Sequence, residues 1–193
     1  MEYVIAVIAA VLVVLVVIVV TGLLYSRNRR RTKDLREQFG AEYDRTVEDL
    51  GDKKRAEQEL EQRKLRVEGY ALRPLSTTER NEFIDAWKRT ESRFVDEPSQ
   101  ALNQADHLVL QAIKARGYEL DDGPGHVDAD LSVRHPGTVG SYRFARATVV
   151  GNERGEANTE ALREAMMHFR RIFEDVIADE PTEEETEQHR VSA

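Results

Sequence analysis

The pattern of apolar and polar positions changes character twice along the chain. From Tyr3 to Tyr25 it is an unbroken run of Val, Ile, Leu and Ala with no charged residue, with Thr21 and Gly22 as the only other interruptions. At about 1.5 Å per helical residue this run covers roughly 35 Å, enough to cross a hydrocarbon core of about 30 Å. A lone segment in lipid has to satisfy its own backbone, so helix is the expected state. Beyond the run, apolar residues recur every three or four positions, which is the helical period. After Ala178 they almost vanish.

Leu35, Phe39, Tyr43, Val47 and Leu50 form the first stripe, and Gly51 is its expected stop. Residues Asp52 to Glu68 are mostly Lys, Arg, Glu and Gln, with Ala56, Leu60, Leu65 and Val67 left to bury. A solvated, charged helix fits this better than a coiled coil, because three clean heptads are absent. A boundary follows at Gly69 to Pro74. Ser76 and Glu79 then have the spacing of a capping box, opening a helix with Phe83, Ile84, Trp87, Phe94 and Val95 on one face. Pro98 suits the first turn of the next helix, which buries Ala101, Leu102, Ala105, Leu108, Val109, Ala112 and Ile113 and closes at Gly117.

Asp121 to Gly125 carries turn chemistry, and a short helix is expected over Val127 to Val133. Pro136 opens another, with Val139, Tyr142, Ala145, Val149 and Val150 inward and an end at Gly151 or Gly155. Thr159 is the expected cap of a last helix lined by Leu162, Ala165, Met166, Phe169, Ile172, Phe173 and Val176. No segment alternates with period two. The expected fold is all-α: a transmembrane anchor over 1–26, a basic collar and charged stalk over 27–69, an irregular bundle of about five helices over 70–178, and a disordered acidic tail over 179–193.

Charge sets the expected topology. Arg27, Arg29, Arg30, Arg31 and Lys33 crowd the C-terminal flank of the apolar run, whereas the other flank offers Glu2 and the α-amino group. The positive-inside rule then places the N-terminus outside and the long C-terminal part in the cytoplasm, a single-pass arrangement in the plasma membrane. A cleaved signal peptide is the alternative. It is opposed by the start Met1-Glu2, which lacks the basic residues of a signal peptide, by the length of the run and by the lack of a small-x-small site before Arg27. The same five cations form a lipid-surface candidate, worth about 1 kcal/mol each near anionic headgroups; the other reading of the cluster is a topology signal alone. With 28 basic and 36 acidic residues, a net charge of −8 disfavours nucleic acid as a partner. The absence of cysteine fits a reducing compartment without establishing one.

Four strings, Leu35 to Val47 (LREQFGAEYDRTV), Arg73 to Ser76 (RPLS), Arg93 to Asp96 (RFVD) and Asn152 to Gly155 (NERG), resemble an actinobacterial-type family of conserved hypothetical, membrane-anchored helical proteins. The resemblance covers nearly all of the part after the apolar run. It implies that the membrane-proximal strings and the bundle form one unit, and it implies no activity, cofactor or catalytic residue.

Candidate chemistry gathers around the irregular loop. His126, Asp128, Asp130 and His135, with His107 beside Asp106 and His168 on neighbouring helices, would make a metal or acid–base site if the helices converge. The spacing matches no H-E-x-x-H motif. Asp128 and Asp130 start like a calcium loop, but Val133 stands where Gly is needed and Val139 where Glu is needed. Helix capping and solvated surface account for these residues more simply. No phosphate-binding loop or nucleophile elbow is present. The expected function is therefore a membrane-tethered cytoplasmic helical module for protein interaction or scaffolding, with no metal or cofactor assigned, the partner unidentified and dimerisation left open. The alternative is a metal-dependent hydrolase-like enzyme using the cluster around 126–135.

Overall fold

The structure, a computed structural model, describes residues 2–120 and 124–178; most side chains of the apolar run 4–24 are outside the described set. The expected disorder of 179–193 and the middle of the 121–125 turn also lie outside it. Among the described residues the chain is all-helical, with α1 (Glu2–Phe39), α2 (Ala41–Leu50), α3 (Lys53–Glu68), α4 (Thr77–Arg93), α5 (Pro98–Ala115), α6 (Pro124–Arg134), α7 (Val139–Glu153) and α8 (Thr159–Ala178). Also among the described residues, no helix is long and apolar enough to cross a membrane. The membrane-spanning expectation for 1–26 therefore rests on the sequence of the run.

Two compact units divide the chain between Glu57 and Gln58, inside α3 and earlier than the Gly69–Pro74 boundary read from the sequence. The reason is that α3 beyond this point is tied by its arginines to later helices. Arg66 bonds Asp130, and Arg63 reaches the Ser132 hydroxyl at 3.5 Å.

In the first unit α1 runs on without a break from the apolar stretch through the basic collar to Phe39. The expected single stripe from Leu35 to Leu50 is split at Gly40, whose φ of +52° ends one helix before the next begins. Phe39 and Tyr43 stay buried on either side of the break. Gly51 is a left-handed stop, as expected, with its N–H bonded to the Val47 carbonyl. Glu57 is a difference from the solvated helix read from the sequence. It is buried and accepts hydrogen bonds from the Thr32 and Tyr43 hydroxyls at 2.7 and 2.9 Å. Burial pushes its carboxyl up, yet these bonds together with Lys53 and Arg31 outweigh it, and the net direction is down.

In the second unit α8 packs on α5 and α7, α4 packs on α5, and α6 on α7. The stripes predicted for α5 and α8 are buried in full, because seven apolar positions at helical spacing leave a face nothing but neighbouring helices to cover it. Each large side chain such as Phe169 adds about 2 kcal/mol or more through burial. Ser76 and Glu79 form the expected capping box. Gly117, at φ +95°, closes α5 in a Schellman pattern, Gly117 N–H to Lys114 O and Tyr118 N–H to Ile113 O. A Cβ there would lie 2.2 Å from the Ala71 carbonyl oxygen, so the turn also serves a close backbone approach.

Other expectations shift. Leu65, Val95 and Val150 are 61%, 85% and 39% exposed instead of core, since each falls on the outward side of its turn. Pro136 sits in a turn ahead of α7, and α7 starts at Val139. The side chain that caps α8 is Asn158, whose Oδ1 accepts from the Ala161 N–H at 2.9 Å, while Thr159 is already helical.

Candidate functional site

The polar residues singled out by sequence are distributed along a seam formed by α3, α6, α7 and α8, and most are engaged by other side chains there. Asp130, nearly inaccessible, takes two hydrogen bonds from Arg66 at Oδ1 and one from the Tyr70 hydroxyl at Oδ2, the last at 2.6 Å. Burial and then the bond to Asp130 push the Tyr70 phenol up to about 12. Asp128 accepts from Arg143. Asp106 accepts from Arg146 through Oδ2, while its buried Oδ1 has no partner. Burial outweighs the arginine, and the Asp106 carboxyl is pushed up.

His135 ends α6 in the turn before α7, and its carbonyl accepts the Thr138 and Val139 amides. Its ring is buried with Nδ1 3.1 Å from Asp175 Oδ2, an oxygen that also accepts from the Thr138 hydroxyl. Nε2 is buried with no partner. Hydrogen bonding to His135 holds the Asp175 carboxyl below its usual range against burial, with Thr138 assisting.

His126 and His107 are exposed, and the His168 ring lies against Phe144, centroids 4.4 Å apart and planes tilted by 42°. Among the described residues no three of His, Asp and Glu come together as metal ligands would. The sequence candidates thus separate into internal ion pairs (Asp128, Asp130), a buried histidine–carboxylate pair (His135) and surface imidazoles (His107, His126). In the collar Arg27, Arg29, Arg30 and Lys33 are exposed and Arg31 is half-buried. Arg29 lies over the Tyr25 ring at 5.3 Å, and Lys33 pairs with Glu37 at 3.4 Å.

A site that the sequence reading missed lies between α4 and α8. Trp87 of α4 stacks on Phe173 of α8, centroids 4.6 Å apart and planes 18° from parallel, with Phe83 edge-on to the same ring. This stack floors a hollow of about 310 Å³ lined by Ile84, Ile177 and Ala178 and rimmed by Arg80, Lys88 and Glu174. A second hollow of about 200 Å³ continues the groove past Phe94, Met166 and Met167. Glu91 and Arg170 line both, and their 3.2 Å ion pair crosses between them. The groove exists because α4 and α8 each pack on α5, leaving only long side chains to bridge them. The signal was present in the α4 sequence: Arg80, Ile84 and Trp87 share one face at i, i+4 and i+7.

Comparison with protein-family models, with curated proteins and with solved structures gives no match to this chain.

Proposed function

We propose that this chain is a single-pass, membrane-tethered helical module that docks a protein segment on its cytoplasmic side, in the groove between α4 and α8. The observation carrying this reading is that groove, an open apolar trough with Met166 and Met167 at one end, on a unit whose α5 stripe is covered. The tether is supported by the charge-free run from Tyr3 to Tyr25 and by its basic C-terminal flank. The collar residues Arg27, Arg29, Arg30, Arg31 and Lys33 then lie at the headgroup level and add attraction to anionic lipid.

One experiment addresses both parts. A photo-crosslinking amino acid is placed at Ile84 in the groove or at the exposed Val95 outside it, in cells expressing the full chain. The expected result is a carbonate-resistant membrane protein that gives a discrete adduct from position 84 and none from position 95. Release of the chain by carbonate would remove the tether, and equal labelling from both positions would remove the docking groove.

A further inference from the structure

Two α4 residues that line the groove hold hydrogen-bond donors with no partner among the described residues. Trp87 is 4% exposed, and its indole N–H has no acceptor. Arg80 Nε is also shielded from water and has none. Orphaned donors of this kind are rare, because each forfeits its hydration without recovering a bond. The neighbouring cations are in a different state. Arg170 pairs with Glu91 and Glu174, and Lys88 with Asp85. Among the described residues, Arg80 has no carboxylate within ion-pair distance. The carboxylates of the trough, Glu91 and Glu174, are thus engaged by Arg170, and the Arg80 end carries a cation that no carboxylate among the described residues neutralises.

Its shape narrows the occupant further. Two apolar hollows are separated by the Glu91–Arg170 pair, so one continuous acyl chain filling both would lie across a charged pair and desolvate it. A backbone carrying separate side chains fits without that cost. From Arg163 to Ala178 the α8 wall is about 22 Å long at the helical rise, which matches about four turns of a second helix laid along it. Helices docked in such grooves anchor through residues one and two turns apart.

We propose that the partner segment is an acidic amphipathic helix, with bulky apolar side chains in both hollows, a carboxylate on Arg80 and an oxygen accepting the Trp87 indole N–H. This rests on the docking reading above and specifies its chemistry. Trp87 is the only tryptophan in the chain, so its emission reports on the groove directly.

The test uses the full chain in nanodiscs of zwitterionic phosphatidylcholine at about 0.15 M salt, where surface charge beyond about 8 Å is screened. Three tryptophan-free synthetic helices share one leucine stripe and differ in flanking residues, Glu, Gln or Lys. The expected result is a saturable change in Trp87 emission with the Glu helix at least tenfold tighter than with the Lys helix. Arg80→Gln should abolish that preference, and Arg80→Lys should keep most of it. Equal affinity for all three helices, or a preference untouched by Arg80→Gln, would overturn the acidic partner while leaving the docking groove standing. No change in Trp87 emission with any helix would overturn both.

Discussion

On the α6–α7 side of the helical unit Asp130 holds Arg66 and Tyr70 together, Arg143 holds Asp128, Arg146 holds Asp106, and Asp175 holds His135 and Thr138. On the α4–α8 side Arg80 and Trp87 each hold a shielded donor with no acceptor among the described residues. Both faces contain titratable and hydrogen-bonding residues near apolar surface. The difference is where their partners are. In the seam the charged groups close on one another and bind distant stretches of chain together, with only single atoms such as Asp106 Oδ1 and His135 Nε2 left over, so most of their chemistry is consumed by the fold. In the groove the aromatic stack is complete but the polar requirement is not, which leaves binding energy to be gained from outside.

The comparison is broken most forcefully at Asp130. Asp130→Ala removes a carboxylate that is only 3% exposed and strands the Arg66 guanidinium and the Tyr70 hydroxyl. Breaking one partner of a buried pair leaves the other uncompensated, and the expected loss is about 3 kcal/mol in urea unfolding of the detergent-solubilised chain. A loss below about 0.5 kcal/mol, the level of an exposed pair, would mean that the seam is solvated surface and that its carboxylates remain available for chemistry.

This contrast also explains what was legible in the sequence. The α5 and α8 stripes, the Ser76 capping box and the Gly117 stop were readable because each is written within a few residues of itself. The break at Gly40 was not, since Phe39 and Tyr43 keep helical spacing across it and only the backbone angle reveals the turn. Asn158 lost to Thr159 as the expected cap because both are good capping residues and differ by one position. Candidate chemistry was the least legible. The His/Asp cluster near 126–135 looked like a site because its residues are close in sequence, whereas Arg66 and Asp130, or His135 and Asp175, meet only through tertiary packing. Trp87 read as ordinary helix core and Arg80 lay outside the face read from the sequence, since a missing acceptor is a property of the packing alone.

A smaller effect sharpens the seam's side of the comparison. The folded Asp175 carboxyl lies below its usual range, chiefly through its bond with His135, so its stabilisation is present above the unfolded value of about 3.9 and fades as pH falls through the lower folded value. Asp175→Asn should therefore leave a shallower acid limb below about pH 4 in a plot of stability against pH. Because Asp175 is 40% exposed, solvent screening keeps the change modest. An acid limb of unchanged slope would mean that the His135–Asp175 pair contributes nothing to the fold.

The smallest expected effect is the most informative about the groove. Arg80→Met keeps the length and much of the apolar stem of the side chain while deleting a charge that has no carboxylate partner among the described residues. Trp87→Phe preserves an aromatic ring to stack on Phe173 and deletes the orphaned N–H, at the cost of some packing area. If the donors serve an external acceptor, the Arg80 substitution should change stability by less than about 0.5 kcal/mol in either direction. The Trp87 substitution should lose no more than about 1.5 kcal/mol, the usual limit for aromatic or apolar swaps that keep the packing. Both should weaken capture of the acidic helix. A loss from Arg80→Met as large as that from Asp130→Ala would show that the guanidinium is held by the fold after all, and the two faces would then be built on the same principle.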